Sequence, residues 1–175
     1  MPTESALVVL IPEAEDLVSS FRHQFDPAAA AGVPAHVTIV YPFKPPVDLS
    51  AGVIERLRQI FATIPSFELH FERLERFPTV LYLKPEPDEI LKRLTKMIAD
   101  CFPEAPPYGG AFKDIVPHLT IAHSADARQL EVIAAEFARQ AQTRLPIQSR
   151  VSAIALMENE SSRWQLRCRF PLANV

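Results

Sequence analysis

Two short stretches decide the fold of this chain: residues 34–40 read PAHVTIV, and residues 116–122 read VPHLTIA. In each, a proline shortly precedes a histidine, and an aliphatic residue, a threonine and an isoleucine follow it. If both are β-strands, successive side chains point to opposite faces of a sheet. One face of each strand is then aliphatic, and the other carries the histidine and the threonine. The residues predicted on these histidine faces are His36, Thr38, Val40, His118, Thr120 and Ala122.

Two such strands placed side by side would present two imidazoles and two hydroxyls to one small anion. Imidazole titrates near neutral pH, so one ring can take a proton while another gives one. Hydroxyl groups can donate hydrogen bonds to the oxygens on which negative charge grows. The pattern therefore predicts acid–base chemistry on a phosphate, with His36 and His118 as the proton-transfer groups and Thr38 and Thr120 as substrate-binding groups.

The two histidine stretches belong to a longer internal duplication. Residues 7–13 read LVVLIPE and residues 80–86 read VLYLKPE. After each, the pattern predicts a helix, a proline-containing loop, the His-x-Thr strand, another helix and a further strand. We therefore expect one domain over residues 1–175, built from repeat halves of about 5–77 and 79–157 with a closing strand at 162–170. A pseudo-two-fold axis would bring the two His-x-Thr strands to the centre.

The remaining elements follow from hydrophobic periodicity and punctuation by proline. Ser50 is the predicted N-cap of a helix that ends at Ile64, and a β-bulge is predicted at residues 72–73. The predicted strands otherwise cover residues 5–11, 67–71 and 79–84, the last ended by Pro85, with an extended segment at 145–157. The other predicted helices cover residues 13–25, 88–102 and 126–141, and the predicted loops cover residues 26–34 and 103–117.

Composition excludes several classes of protein. The 175 residues are 48% hydrophobic and 22% charged, with a net charge of −3. This balance is typical of a globular domain and gives no overall cationic field for double-stranded DNA. No signal peptide and no membrane-spanning stretch is predicted. Cys101 and Cys168 are interpreted as reduced core thiols of a cytoplasmic protein, with one disulfide as the open alternative.

The paired His-x-Thr strands resemble the two-histidine phosphoesterase superfamily, and specifically its 2′-5′ RNA ligase-like branch. The resemblance rests on residues 36–43 (HVTIVYPF), on residues 108–110 (YGG) before residues 117–122 (PHLTIA), and on the order of elements. It implies a bilobal α+β fold with antiparallel sheets flanked by helices around a central cleft. It also implies hydrolysis or transfer at a phosphodiester, often a 2′,3′-cyclic phosphate, without metal or cofactor. It also implies 2′-5′ ligation as the reverse reaction, and we expect a monomer.

Several alternatives stay open at the level of sequence. A non-catalytic module that binds RNA ends or cyclic nucleotides would use the same residues. RNA ends, small cyclic nucleotides, an ADP-ribose cyclic phosphate and non-nucleotide phosphoesters are all candidate substrates.

Strict alternation predicts that His123 points away from His118 and is peripheral. Two further groups have two readings each. The aromatic residues either stack a base or pack in the core: Tyr41, Phe43, Tyr108 and Phe112. The arginines of the closing strand either steer phosphates or form a solvated face: Arg163, Arg167 and Arg169.

Overall fold

A computed structural model describes residues 2–111 and 113–174 of the chain. Within these residues, eight strands form one antiparallel sheet that is packed against helices. The strands are β1 (Ser5–Leu10), β2 (His36–Val40), β3 (Phe67–Phe77), β4 (Val80–Glu86), β5 (Leu119–His123), β6 (Ile147–Val151), β7 (Ala153–Glu158) and β8 (Gln165–Pro171). The helices are α1 (Glu15–Phe25), α2 (Pro27–Ala30), α3 (Ala51–Ala62), α4 (Glu89–Cys101) and α5 (Ala127–Ala141). The predicted α+β class is confirmed.

The strand order places the two His-x-Thr strands at the centre of the sheet. The order is β6-β3-β4-β5-β2-β1-β7-β8, and all neighbouring strands are antiparallel. The β2–β5 contact, through the pair Val37 and Leu119, joins four strands on each side. Strand β3 lies beside β4 and strand β7 beside β1, so each side of the sheet takes a strand from the other half of the chain. The pseudo-two-fold relation between the halves stays a prediction.

The two faces of the sheet have different environments. One face packs against the helices and forms the main hydrophobic core, which includes Phe61 of α3, Leu94 of α4 and Phe137 of α5. The other face of β1 and β7 carries a small separate cluster of buried residues. Its members are Ala6, Val8, Ala155 and Met157. The cavity described below lies over this second face, so its floor is apolar.

Helix starts follow local capping rules. The Ser50 hydroxyl accepts a hydrogen bond from the backbone N–H of Val53 at 3.2 Å, which confirms the predicted cap of α3. Asp26 accepts one from the N–H of Ala28 at 3.0 Å and starts α2. A side-chain cap of this kind stabilises a helix by about 1 kcal/mol. The prediction of a structureless loop at residues 26–34 is wrong at α2, because the cap and Pro27 at the first helical position favour a helical turn.

Strand β4 continues past the residue predicted to end it. Pro85 pairs with Phe71, and the strand ends at Glu86. The last pair with β5 is Leu83 with Leu119, so beyond that point β4 has a partner on one side only. A proline is tolerated at such a position, because the unpaired side of the strand needs no N–H donor. The predicted bulge in β3 is confirmed by a register shift between Phe71 and Leu74.

The structural repeat is offset by one residue from the repeat read in the sequence. Val8 pairs with Thr38 in the first half, and Tyr82 pairs with Thr120 in the second. Val8 is therefore equivalent to Tyr82, whereas the sequence alignment matched it with Leu81. The reason is that Pro12 begins a 3₁₀ turn after β1, while Pro85 lies inside β4. The shared Pro-Glu pair thus does not mark equivalent points of the backbone.

Both cysteines, Cys101 and Cys168, are free and partly buried, so the alternative of a disulfide between them does not occur. Across residues 2–111 and 113–174, every helix is too short or too polar to cross a membrane.

Candidate active site

The two His-x-Thr strands share an irregularity that strict alternation does not predict. In the β1–β2 pairing the register shifts so that Ile39 has no opposite residue, and in the β4–β5 pairing Ile121 is left out in the same way. Each extra residue is a β-bulge, which resets the alternation of the strand. Val40 and Ala122 consequently belong to the main core, where both are fully buried. The prediction that they lie on the histidine face is wrong.

The same bulges return one further residue after each His-x-Thr motif to the histidine face. Five residues after each motif histidine stand Tyr41 and His123, and both line the cavity that contains the motifs. His123 Nε2 lies 4.0 Å from the Oδ1 atom of Asp26. The prediction that His123 is peripheral is therefore wrong, because it assumed an unbroken alternation along β5.

All four predicted site residues, His36, Thr38, His118 and Thr120, line one cavity of about 480 Å³. Its floor is formed by β1 and β7 through Ala6, Val8 and Met157. Its other lining residues are Asp26, Pro27, Ala28, Ala31, Val33, Tyr41, Tyr108, His123 and Trp164. We call this cavity the cleft.

Matching hydrogen bonds orient the two motif imidazoles. His36 Nδ1 lies 2.8 Å from the carbonyl oxygen of Pro34, and His118 Nδ1 lies 2.8 Å from the carbonyl oxygen of Val116. A carbonyl oxygen can only accept, so Nδ1 of each ring donates and carries the proton in the neutral state. The lone pair is then on Nε2 of both rings. Each half of the chain thus holds its histidine by the backbone two residues earlier, with Nε2 left to react.

The motif threonines offer free hydroxyls. Thr38 and Thr120 are partly exposed, and within the described parts of the chain neither hydroxyl has a hydrogen-bond partner. Each follows its histidine by two residues, so both lie on the same face of the central strands as the imidazoles. The two hydroxyls are therefore available to donate hydrogen bonds to a group bound between the histidines.

A buried ion pair lies beside His36. Arg22 Nε and Asp26 Oδ2 are 2.9 Å apart, and both residues are almost completely buried. The pKa of His36 is lowered to about 4, mainly by burial and also by the positive charge of Arg22 and by His118, whereas the hydrogen bond to Pro34 and the charge of Asp26 oppose the shift. A buried imidazole loses hydration that its charged form needs most. His36 is accordingly neutral at pH 7 when the cleft is empty.

An aromatic environment surrounds His118. Its ring centroid lies 5.2 Å from that of Phe77 and 5.5 Å from that of Tyr82, both in edge-to-face arrangements. Burial is the main cause that lowers the pKa of His118, and the nearby His123 lowers it too, while the hydrogen bond to Val116 raises it. The ring is therefore fixed by aromatic packing as well as by its backbone hydrogen bond.

The candidate aromatic residues divide between cleft and core. Tyr41 and Tyr108 line the cleft, and Trp164 packs against Tyr41 with ring centroids 5.9 Å apart. Phe43 is in the core against Phe102, which resolves its two readings in favour of packing. Phe112 lies outside the described residues.

Sequence reasoning missed Trp164 as a cleft residue. Strict alternation along the closing strand places Trp164 on the same face as Leu166, Cys168 and Phe170. In the structure the β7–β8 register shifts so that Arg167 has no opposite residue, and the face changes there. No local signal marks that shift.

The three arginines of the closing strand do not line the cleft. Arg167 pairs with Glu158 at 2.8 Å, and Arg169 lines a separate cavity beside Leu10 and Ala155. Arg163 lines a further pocket on the other side of residues 29–33. Of their two readings, the one in which they steer phosphates into the cleft is thus not supported by a place in the cleft lining.

The donor set of the cleft does not resemble a typical divalent-cation site. Among residues 2–111 and 113–174, no group of three or more histidine, cysteine, aspartate or glutamate side chains is placed to hold a metal ion. The one carboxylate in the cleft lining, Asp26, already accepts from Arg22 and from Ala28. Imidazoles and hydroxyls remain, and these suit proton transfer and anion binding.

The fold is similar to that of several solved structures. Escherichia coli LigT in its apo form superposes with a TM-score of 0.60 at 19% identity, and the match covers 98% of each chain. The complex of LigT with 3′-AMP gives a TM-score of 0.59 at 17% identity, covering 98% of this chain and 99% of LigT. The protein TT0787 of Thermus thermophilus gives 0.59 at 15% identity, covering 98% of each chain. At these identities the likeness shows the fold alone, which is the fold that the paired motifs predicted.

Sequence relatives agree with the structural match. A Bacillus licheniformis protein provisionally named a phosphoesterase is 31% identical over 121 residues, which cover 66% of this chain and 68% of that protein. A similarly named protein of Staphylococcus aureus is 28% identical over 172 residues, covering 95% and 98% of the two chains. The family model described as the 2′-5′ RNA ligase superfamily matches residues 11–163, which include both His-x-Thr motifs. This chain therefore belongs to the 2′-5′ RNA ligase superfamily.

Proposed function

We propose that this protein is a metal-independent phosphoesterase that opens a 2′,3′-cyclic phosphodiester by paired-histidine acid–base catalysis. The coarser assignment, an enzyme of the phosphoesterase type, follows from its family. The substrate is an RNA end or a small nucleotide. The expected 2′-5′ ligation would be the same ring opening with a 5′-hydroxyl in place of water, in which the bond from phosphorus to the 3′-oxygen breaks and the same two histidines transfer the protons. His36 and His118 transfer protons, and Thr38 and Thr120 bind the phosphate.

One observation carries the proposal: two imidazoles on adjacent central strands line one cleft, and each is held by Nδ1 so that Nε2 is unengaged. In ring opening, a water oxygen bonds to phosphorus while the bond from phosphorus to one ribose oxygen breaks. One Nε2 takes the proton from the water, and the protonated Nε2 of the other ring gives a proton to the leaving oxygen. Such general acid–base help is worth about 10²–10⁴-fold in rate.

The substrate itself supports the protonation of the acid. Burial keeps the pKa of His36 and that of His118 low in the empty cleft. A phosphodiester anion between the rings favours an imidazolium by charge attraction and therefore raises their pKa values. One proton shared between two equivalent rings is enough for the reaction, since one ring must be neutral and the other protonated.

The two motif threonines stabilise the negative charge that develops on the phosphate. As water attacks, negative charge grows on the non-bridging oxygens of the phosphate. The hydroxyls of Thr38 and Thr120 have no other partner among the described residues and can donate to these oxygens. Loss of one such donor typically costs about 10²–10³-fold in rate when the donor is fully engaged.

The shape of the cleft favours a nucleotide over a bare phosphate ester. Its volume of about 480 Å³ is within the usual range for a small-molecule site. Tyr41, Trp164 and Tyr108 give it an aromatic side on which a base can stack. LigT, whose fold is similar, has been crystallised with 3′-AMP, ATP and NADP⁺.

The test is a substrate screen with purified, EDTA-treated protein. The panel contains 2′,3′-cyclic mononucleotides, RNA with a 2′,3′-cyclic end, an ADP-ribose cyclic phosphate and a non-nucleotide phosphoester. Phosphorus NMR of the products shows which ribose oxygen keeps the phosphate. We expect turnover of at least one 2′,3′-cyclic phosphate in EDTA, and no turnover by the matched double variant His36→Ala/His118→Ala, which controls for contaminating nucleases.

Two results would overturn the proposal. Activity that disappears in EDTA and returns with one divalent metal would show that the mechanism is metal-dependent. Tight binding of the cyclic phosphates without turnover would favour the non-catalytic binding module. A monomeric state, a cytoplasmic location and the absence of a double-stranded DNA partner stay predictions.

A further inference from the structure

A second pocket lies next to the cleft, on the other side of residues 29–33. It has a volume of about 240 Å³ and shares the single residue Val33 with the cleft lining. Its remaining walls come from α1 and from the turn before β8. Three of its side chains are basic in type: Arg22, His23 and Arg163. We call it the rear pocket.

Arg22, which lines the rear pocket, carries a buried donor with no partner among the described residues. The Arg22 side chain is only 3% exposed, and its Nε is engaged by Asp26. Among the described residues, Nη2 of Arg22 is the one buried side-chain nitrogen or oxygen without a hydrogen-bond partner. Arg22 lines the rear pocket and not the cleft, whereas Asp26 lines the cleft and not the rear pocket. A buried guanidinium N–H without an acceptor is costly, so an acceptor supplied by a ligand would be favoured.

Arg163 supplies a second guanidinium from the opposite wall. It has no ion-pair or side-chain hydrogen-bond partner among residues 2–111 and 113–174. The guanidinium rests on Gly32, where a Cβ atom would lie 3.4 Å from Arg163 Nη2 and 3.0 Å from the backbone oxygen of Trp164. Gly32 also has a φ of +104°, which other residues rarely adopt. The backbone is therefore shaped to let Arg163 lie close against the pocket wall.

The one carboxylate of the rear pocket is already engaged. Glu15 Oε1 accepts a hydrogen bond from the backbone N–H of Ala35 at 2.5 Å. Ser19 adds a hydroxyl to the lining. The donors without an acceptor among the described residues thus include Nη2 of Arg22, the guanidinium of Arg163 and the Ser19 hydroxyl, which suit the oxygens of a phosphate group.

We propose that the rear pocket is an anion-binding site for a phosphate group, held by Arg22 and Arg163 and separate from the reaction in the cleft. The phosphate is either free in solution or the distal phosphate of a nucleotide bound in the cleft. Both sources share the same chemistry, and the second rests on the proposed function because it requires a nucleotide in the cleft.

The test is a titration with inorganic phosphate at constant ionic strength, followed by nitrogen–proton NMR. The Gly32 amide and the Arg22 and Arg163 side-chain N–H groups report on the rear pocket, and the Thr120 amide reports on the cleft. We expect saturable shifts at the rear-pocket reporters. Arg163→Ala should weaken this binding by about tenfold, as expected for loss of a charge-assisted pair, and leave the Thr120 response unchanged. Arg169→Ala, on the same closing segment but outside the rear pocket, is the matched control.

Two further binding measurements distinguish a free phosphate from the distal phosphate of a nucleotide. If the site serves a bound nucleotide, adenosine 2′,5′-bisphosphate binds more tightly than adenosine 2′-monophosphate, and Arg163→Ala removes the difference. If it takes a free anion, inorganic phosphate binds the rear pocket equally well with adenosine 2′-monophosphate already in the cleft. Arg22→Lys, which keeps the charge and removes Nη2, should weaken phosphate binding at Gly32 while circular dichroism shows a folded protein.

The proposal is overturned if phosphate moves only the Thr120 reporter, or if chloride at the same ionic strength reproduces the Gly32 shifts. It is also overturned if Arg163→Ala and Arg169→Ala weaken the Gly32 response equally. None of these results bears on whether the cleft turns over a cyclic phosphate. Conversely, a catalytically inactive cleft with an intact Gly32 response would contradict the proposed function and leave the rear pocket as an anion site.

Discussion

The first and second His-x-Thr strands have the same backbone geometry and different surroundings. Both hold Nδ1 of the histidine on a carbonyl two residues earlier, and both bulge at the isoleucine after the threonine. His36, however, lies beside a buried ion pair, whereas His118 packs against Phe77 and Tyr82. Under the proposed function, two histidines with the same backbone geometry transfer protons, and the difference between their neighbours is what can assign them different tasks.

The largest expected effect tests what the two strands share. His36→Ala and His118→Ala should each lower kcat by about 10²–10⁴-fold on a 2′,3′-cyclic nucleotide, with much smaller effects on substrate binding. The double variant should be little worse than either single variant, because groups that act in one transition state are not additive. Single-turnover kinetics measures this, and full activity in either single variant would end the paired mechanism.

A smaller effect is expected from the two hydroxyls. Thr38→Ala and Thr120→Ala should each lower kcat by about 10–10³-fold, because each removes one donor to the developing charge. Equal losses would show that the two strands contribute equally to phosphate binding, and unequal losses would show on which strand the charge grows. Ser152→Ala, in the link between β6 and β7 and outside the cleft lining, should keep the wild-type kcat.

The buried surroundings of His36 are expected to affect the stability of the folded protein at low pH. The folded protein keeps the pKa of His36 at about 4, below its ordinary value of 6.5. Between these values the unfolded chain binds a proton that the folded protein does not, so stability falls as pH drops through this window and is unaffected above it. His36→Gln should therefore reduce the loss of stability between pH 6.5 and 4, measured by urea unfolding.

His118→Gln is the companion variant for that measurement. Burial lowers the pKa of His118 as well, so the sign of its effect should be the same. If the pH dependence of stability were the same in His36→Gln as in the wild type, the surroundings of His36 would not disfavour its charged ring. The prediction from its buried ion-pair environment would then be contradicted.

The smallest expected effect concerns the residues that the bulges return to the cleft. His123 lowers the pKa of His118, so His123→Gln should raise it and move the corresponding limb of the pH–rate profile to higher pH. The bell shape itself should persist, since both motif histidines remain. His70→Gln, on β3 outside the cleft, is the control, and an identical shift in both variants would argue against a local effect.

Much of the fold could be read from local pattern. Capping by Ser50, the helical periodicity of α4 and the bulge after Phe71 depend on neighbours in sequence, so they were predicted correctly. The one-residue offset of the repeat was not, because it depends on how β1 and β4 align with their partner strands. The continuation of β4 past Pro85 depends likewise on where β5 ends.

The candidate site shows the same division. The sequence by itself determined the motif residues His36 and His118, their threonines and the family, because these depend on residue identity and spacing. Only the tertiary structure decided that His123 and Trp164 enter the cleft, since bulges are set by pairing between distant strands. It also decided that Arg22 and Asp26 lie beside His36, because burial and electrostatic shifts arise from residues brought together by folding.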